Sequence, residues 1–346
     1  MPVHVLTHPA CQDHVTPDGR AHVERPERIT AATQGLRESP LDLAWEQAPV
    51  AKVDTLRTLH TGEHVHAVEA ACQRGRWIGG DPDLIAEASD TYAVPASWEA
   101  ALAGVGGAIR AAELALDGAP ALSLCRPPGH HATAQRAMGF CLFNQIALAA
   151  DHVARTGKRV AVLDIDVHHG NGTQDILYER GDVLYISTHQ SPLYPGTGHP
   201  HEVGRGDGAG FTVNLPLPPG VGHAGYLEVL DKGVLPVLEA HRPELVLISA
   251  GFDAHAKDPL GGLDLVSDTF HATGERLANV APHVAAVLEG GYSLEALTTS
   301  VPALMAGLSG EPCPVNERLE PGVRAWPMLA SPLATYHGAR WGILPG

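Results

Sequence analysis

The chain has 346 residues, 44% of them hydrophobic and 18% charged, enough to bury a large α/β core in one or two domains. Its 39 acidic and 23 basic residues leave a formal net charge of -16. That argues against nucleic-acid binding, which needs a basic footprint, and suits a cationic substrate or simply an acidic surface.

The N-terminal stretch MPVHVLTHPA lacks the basic and apolar regions of a signal peptide, and no run reaches the length of a membrane span. A cytoplasmic protein with no membrane partner is therefore expected. The cysteines, Cys11, Cys72, Cys125, Cys141 and Cys313, are odd in number and form no CxxC pair, which fits a reducing compartment. A helix is expected over Pro26–Arg37, where Pro26 fits the fixed φ of a first turn. The segment Gly75–Pro95 is rich in Gly, Asp and Pro and reads as a long loop. A helix over Ser97–Leu116 precedes a strand over Ala121–Leu124. Next come a helix over Leu142–Arg155, stopped by Gly157, and strands over Arg159–Ile165 and Val183–Thr188. A helix over Ala224–Ala240 and a strand over Leu245–Ala250 follow. They lead to a helix over Ser267–Asn279, a strand over Val284–Glu289 and a helix over Leu294–Gly307. The tail, 310–346, holds six prolines and two tryptophans and reads as an irregular belt packed on the body. This alternation signals an α/β fold with a parallel sheet and helices on both faces, in a single domain over 1–346.

Each of the five strands runs into a polar or glycine-rich ending. The endings are Arg126-Pro-Pro-Gly-His-His131, Asp166-Val-His-His-Gly-Asn171, His189, Gly251-Phe-Asp253 and Gly290-Gly-Tyr292. Open α/β sheets bind ligands at the carboxyl ends of their strands, so the five endings describe one site. The stretch VAVLDIDVHHGNGT, 160–173, is the most informative. Strand alternation puts Asp164, Asp166 and His168 on one face if the strand runs that far. A buried carboxylate needs a cation, a charge partner or hydrogen-bond donors. Asp166, His168 and Asp253 make a three-ligand set with open positions, as in a catalytic zinc site. Such a metal lowers the pKa of a water and polarises a carbonyl. His130 and His131 are candidates for general acid–base work, with Asp164 and Asn171 to orient them. Tyr292 is a candidate donor to an oxyanion. Singly, each has a plainer explanation: Asp253 alone is as readily a cap or turn residue. Their joint occurrence carries the argument. His169, Arg25 and Arg28 read as structural, and Cys141 as a packed small residue.

RPPGHH, DIDVHHGNGT, YPGTG, AGFDAHAKDPLGG and LEGGY follow one another in the order found in the histone deacetylase superfamily. The chain resembles that superfamily from about His22 to about Tyr292. The resemblance implies the three-layer arginase–deacetylase fold, with a central, mainly parallel sheet of about eight strands. It also implies a zinc-dependent amidohydrolase, with Fe2+ as the alternative metal. The substrate partner it implies is an acetylated amine, foremost an acetyl-lysine-like one. By the same resemblance Asp166, His168 and Asp253 are the metal ligands, His130 and His131 the tandem histidines, and Asp164 the partner of His130. Tyr292 is the catalytic tyrosine. His131 would act as general base and then acid, and Tyr292 as oxyanion donor. Phe140, with Gly139 beside it, and Tyr194 match the aromatic walls of an acyl-lysine tunnel. Asp90 falls near a substrate-gripping aspartate of the rim. The backbone carbonyls of Asp164, Asp166 and His168, with Ser187 and Thr188, match a structural potassium (K+) site.

Two positions depart from relatives. Asn171 replaces the aspartate of class I members, as in class II-like ones, and a neutral partner favours the neutral, basic form of His131. Leu260 stands where polyamine-selective relatives carry a glutamate gatekeeper. This weakens the alternative of an acetylpolyamine substrate, for which Asp81, Asp83, Glu87 or Asp90 would have to serve. A catalytically silent metal-binding regulator is the alternative from another class. A homo-oligomer is left open.

Overall fold

The computed structural model describes residues 1–78, 90–317 and 322–342. Its strands are β1 (Val3–Thr7), β2 (Leu43–Gln47), β3 (Arg76–Ile78), β4 (Thr91–Ala93), β5 (Ala121–Ser123), β6 (Val160–Asp164), β7 (Val183–Gln190), β8 (Thr212–Leu217), β9 (Leu245–Ala250) and β10 (Val284–Leu288). Eight of them form one sheet in the order β2-β1-β5-β10-β9-β6-β7-β8, and every pairing is parallel. Strands β6, β9 and β10 are buried along their whole length. That is why they read as continuous apolar runs rather than alternating ones.

The pleat still sorts side chains between two faces. Leu122, Ala161, Leu163, Val246 and Ile248 point to one face, where Ile29, Phe270, Leu297 and Leu304 of three helices cover them. Ala121, Val160, Val162, Leu245 and Leu247 point to the other, under Ala108, Ala111, Ile146 and Val153 of the helices Pro95–Leu116 and Gln145–Ala154. The result is three layers with the sheet in the middle. The five polar endings belong to five consecutive strands, β5-β10-β9-β6-β7. Because all run parallel, the endings meet along one edge, except that His189 still lies within β7, its ring bonded to Ser187 Oγ and the Gly198 carbonyl.

Three sheet strands lacked a clear signal. β2 (LAWEQ) is an edge strand buried on neither face. β8 (TVNLPL) contains Pro216, tolerated because β8 is the other edge. β1 is short and carries His4, whose ring reaches Glu46 of β2 at 2.6 Å. The loop expected over Gly75–Pro95 holds the antiparallel pair β3–β4. Asp81, Asp83 and Glu87 lie outside the described residues. The helix expected over 224–240 is interrupted by a π turn, Leu230–Val234, just before Pro236. Among the described residues no helix is long and apolar enough to cross a membrane.

The tail, expected to be irregular throughout, is regular in part. It forms a helix, Trp326–Trp341, with Pro327 in its first turn and Pro332 inside. Trp326, Leu329, Ala330, Leu333, His337 and Trp341 recur at helical spacing and are buried. His337 is fully buried, and neither ring nitrogen has a hydrogen-bond partner. Burial pushes it down to about 4. The unfolded chain takes up this proton near pH 6.5, the folded chain only near pH 4. Stability therefore falls as pH drops through that interval, by roughly 3 kcal/mol in all. His337→Leu is expected to raise Tm at pH 5 and to flatten the dependence between pH 6.5 and 4. Thermal melts across that range check this, and a wild-type slope in the variant would contradict it.

Candidate active site

Strand β6 ends at Asp164, so the alternation does not carry on to His168 as strand. The aspartates themselves break it. Asp164 Oδ1 accepts the backbone N–H of Asp166 at 3.2 Å, and Asp166 Oδ1 accepts that of His168 at 2.9 Å. Such bonds two residues on fold the chain into successive turns. The turns bring Asp166 and His168 together against Asp253, which follows β9. One ligand atom of each lies within 4.8 Å of the others, and all three residues are buried. His168 Nδ1 is 3.1 Å from Asp166 Oδ1 and 3.2 Å from Asp253 Oδ2. Backbone amides hold the remaining oxygens: Gly290 N–H donates to Asp166 Oδ2 (2.8 Å) and Val167 N–H to Asp253 Oδ1 (2.9 Å). A Cβ at Gly290 or Gly251 would collide with these carboxylates, so glycine is required at both.

The donor set fits a divalent cation. Burial, and next the Asp166 carboxylate, push Asp253 up to about 7. Two carboxylates crowded out of water are held ionised by a metal between them. One imidazole and two carboxylates are the mixed N/O donors that suit zinc or ferrous iron.

The tandem histidines follow β5 and lie beside this cluster, their rings 4.0 Å apart. His130 Nδ1 is 3.0 Å from Asp164 Oδ2, and its Nε2 is 3.8 Å from Asp166 Oδ2. Burial opposes its cation, but the Asp166 and Asp164 carboxylates outweigh burial and push it up to about 10. His131 Nδ1 is 2.8 Å from the amide oxygen of Asn171. An amide oxygen only accepts, so Nδ1 carries the proton and Nε2 keeps a free lone pair. Burial, then the neighbouring His130 and His168, hold His131 well below its ordinary value. Two adjacent imidazoles are thus driven apart, one toward a cation and the other toward a neutral base.

Tyr292 ends a turn in which Gly291 has φ 111°. Its backbone N–H and that of Ser293 both donate to Asp258 Oδ2, at 2.6 and 3.0 Å. The Arg28 guanidinium lies 4.9 Å over its ring. Phe140 stands edge-on to Tyr292 at 5.7 Å, and Tyr194 edge-on to His131 at 5.1 Å. The two aromatic rings thus flank the site. Phe140 takes a left-handed φ of 68°, and its N–H is held by Thr91 Oγ1 at 2.9 Å. Gly139 packs on the His131 ring so closely that a Cβ would strike it. Asp90, half-buried, accepts from Thr91 Oγ1 at 2.7 Å, and burial raises its carboxyl. Leu260 is half-buried and donates its N–H to Asp258 Oδ1 at 3.0 Å. Ser187 pairs with Asp164 in register, and Thr188 Oγ1 donates to the Asp164 carbonyl at 3.3 Å.

Some supporting residues gave little sequence signal. Arg28 reaches the Gly291 carbonyl at 2.6 Å and Glu24 at 3.1 Å. Arg126 grips Glu24 through two bonds of 2.6 Å. This fully buried group fastens the turns on either side of the site. Arg28, expected to be structural, bonds the turn that presents Tyr292 and lies over its ring. Asp258 and Glu289 were missed, although Glu289, an acid ending an apolar strand run, was a visible signal.

Known proteins resemble this chain over most of its length. A histone deacetylase domain model matches residues 22–308. A probable deacetylase of Methanothermobacter thermautotrophicus is 43% identical over 294 residues, covering 84% of this chain and 86% of that protein. A histone deacetylase-like amidohydrolase of Pseudomonas aeruginosa is 39% identical over 328 residues, covering 91% and 84%. Among solved structures, the HDA15 HD domain superposes with a TM-score of 0.88 at 34% identity, covering 99% of this chain and 95% of that one. The arginase–deacetylase architecture expected from the motifs is therefore the fold observed.

Proposed function

This chain belongs to the histone deacetylase family of deacetylase-type hydrolases, and we propose that it is a zinc-dependent enzyme acting on acetyl-lysine-like amides. The observation that carries the reading is the divergence of His130 and His131 beside the Asp166–His168–Asp253 cluster. Asp166, His168 and Asp253 would hold the metal. Bound there, zinc supplies Lewis acidity, polarising the acyl carbonyl and making water acidic enough to deprotonate near neutral pH.

The remaining steps belong to this chain's own side chains. His131 Nε2 takes a proton from the attacking water and later returns it to the leaving amine. The Tyr292 hydroxyl donates to the acyl oxygen as it gains charge. His130, favoured as a cation by the Asp166 and Asp164 carboxylates, stabilises the negative charge that develops nearby. Phe140 and Tyr194 offer an apolar slot for an alkyl chain. Asp90 stands at the rim as an acceptor for substrate N–H groups. Leu260 offers no charge to a polyammonium chain, which favours acetyl-lysine over acetylpolyamines. The Asp164, Asp166 and His168 carbonyls, with Ser187 and Thr188, would take a structural potassium ion. The reading assigns the chain one deacetylase-type domain and, given its five free cysteines, a cytoplasmic setting.

The test is Tyr292→Phe on an acetyl-lysine peptide. Loss of one oxyanion donor is expected to lower kcat about 10²–10³-fold with bound metal unchanged. Undiminished turnover would remove Tyr292 from the reaction.

A further inference from the structure

Pro127 and Pro128 carry no N–H, so the first amides of the tandem-histidine turn are those of Gly129 and His130. Both are buried and need an acceptor. Gly129 cannot carry an acceptor of its own, because even a Cβ there would strike Gln145 and the Phe143 carbonyl. The acceptor comes from another strand. Glu289, directly after β10 and fully buried, presents Oε2 to the Gly129 N–H at 2.6 Å and to the His130 N–H at 3.0 Å. Two successive amides converging on one oxygen form a nest for an anion. The other oxygen, Oε1, accepts Ser249 Oγ of β9 at 3.1 Å. On the far side of the turn, the His130 carbonyl accepts the Thr173 N–H at 3.0 Å. The next residue in the chain, Gly290, donates to Asp166.

We infer that Glu289 is a positioning residue for the reaction: its Oε2 fixes the backbone of the tandem histidines, and so the place of the His131 imidazole relative to the Asp166–His168–Asp253 cluster. The inference rests on the deacetylase reading given above. It assigns the buried acid of LEGGY a task that packing does not supply, since burying a carboxylate is costly unless its bonds matter. What matters is where the acceptor oxygen stands. Glutamine keeps an amide oxygen at that place, and its NH2 group can donate to Ser249 Oγ. Aspartate keeps the carboxyl group but withdraws the oxygen by one carbon.

The experiment measures kcat and KM on an acetyl-lysine peptide, and zinc per chain, for the wild type, Glu289→Gln and Glu289→Asp. Displacing a catalytic group by about 1 Å costs on the order of 10²-fold. E289D is therefore expected to lose about 10² in kcat per bound zinc with KM little changed, and E289Q to stay within about 10-fold of wild type. In parallel, amide NMR reads the nest without turnover. The Gly129 and His130 protons should lie far downfield, remain so in E289Q, and move upfield in E289D. Wild-type kcat in E289D, equal loss in both variants, loss that merely tracks zinc content, or amide protons that ignore E289D would each overturn the inference. A wild type that hydrolyses no acetyl amide would overturn the deacetylase reading instead, and the amide shifts would still decide the placement.

Discussion

Asparagine in place of Asp253 is expected to strip the site of metal and abolish hydrolysis. The side-chain shape is kept, and the amide oxygen can still accept the Val167 N–H now bound to Oδ1. The other position changes sign. Oδ2, 3.2 Å from His168 Nδ1, becomes an NH2 group that points a proton into the space between the donors. That proton can satisfy the imidazole lone pair directly, and one of the two negative charges that would hold a cation is gone. Outer-shell changes around metal sites cost about 10–100-fold in affinity or activity, so loss of a ligand should exceed that, on the order of 10³ or more in kcat/KM. The check is metal per chain after dialysis, together with kcat/KM on an acetyl-lysine peptide. A D253N protein that keeps one tightly held metal and wild-type turnover would show that Asp253 is a turn residue.

His131→Gln is expected to lower kcat about 10²–10⁴-fold, the usual worth of a positioned general base, with metal content unchanged. The finer prediction concerns pH. Burial, followed by the charge of His130, keeps the His131 proton affinity low. A base must be unprotonated to act, so a depressed pKa means activity persists as pH falls from 8 to about 6. Asn171→Asp puts a carboxylate where the amide oxygen now stands, 2.8 Å from Nδ1. An opposite charge at that range raises a histidine pKa by about 1–3 units. The acid limb of kcat/KM should therefore move to higher pH by a similar amount, and N171D should lose activity at pH 6 before wild type does. A pH–rate profile of both proteins decides this. A limb that stays in place would mean that His131 is not the group titrating.

The sheet interior was easy to read because strands buried on both faces admit little but apolar residues, as in β6, β9 and β10. Their polar endings stood out against that background, and all five fell on neighbouring strands. The edges were harder. β2 is exposed enough to hold Glu46 and Gln47, and β8 tolerates Pro216 because no ladder neighbour lies beyond it. The tail helix was hidden by prolines that occupy a first turn and a partly solvated position. At the site, residue types named the chemistry but not the path of the chain. Asp164, Asp166 and His168 converge through turns, not through strand alternation. Glu24 through Arg126, and Asp258 and Glu289 through backbone amides, act on groups contributed by distant segments. No spacing in the sequence encodes such partners; only the fold brings them together.

The most direct test of the central claim is a zinc titration of the chelator-treated protein, with hydrolysis of an acetyl-lysine peptide as the readout. Activity should be absent without metal, rise linearly, and level off at one equivalent per chain, the capacity of the single Asp166–His168–Asp253 cluster found among the described residues. Full hydrolysis by the metal-free protein, or no hydrolysis at one bound equivalent, would contradict the account.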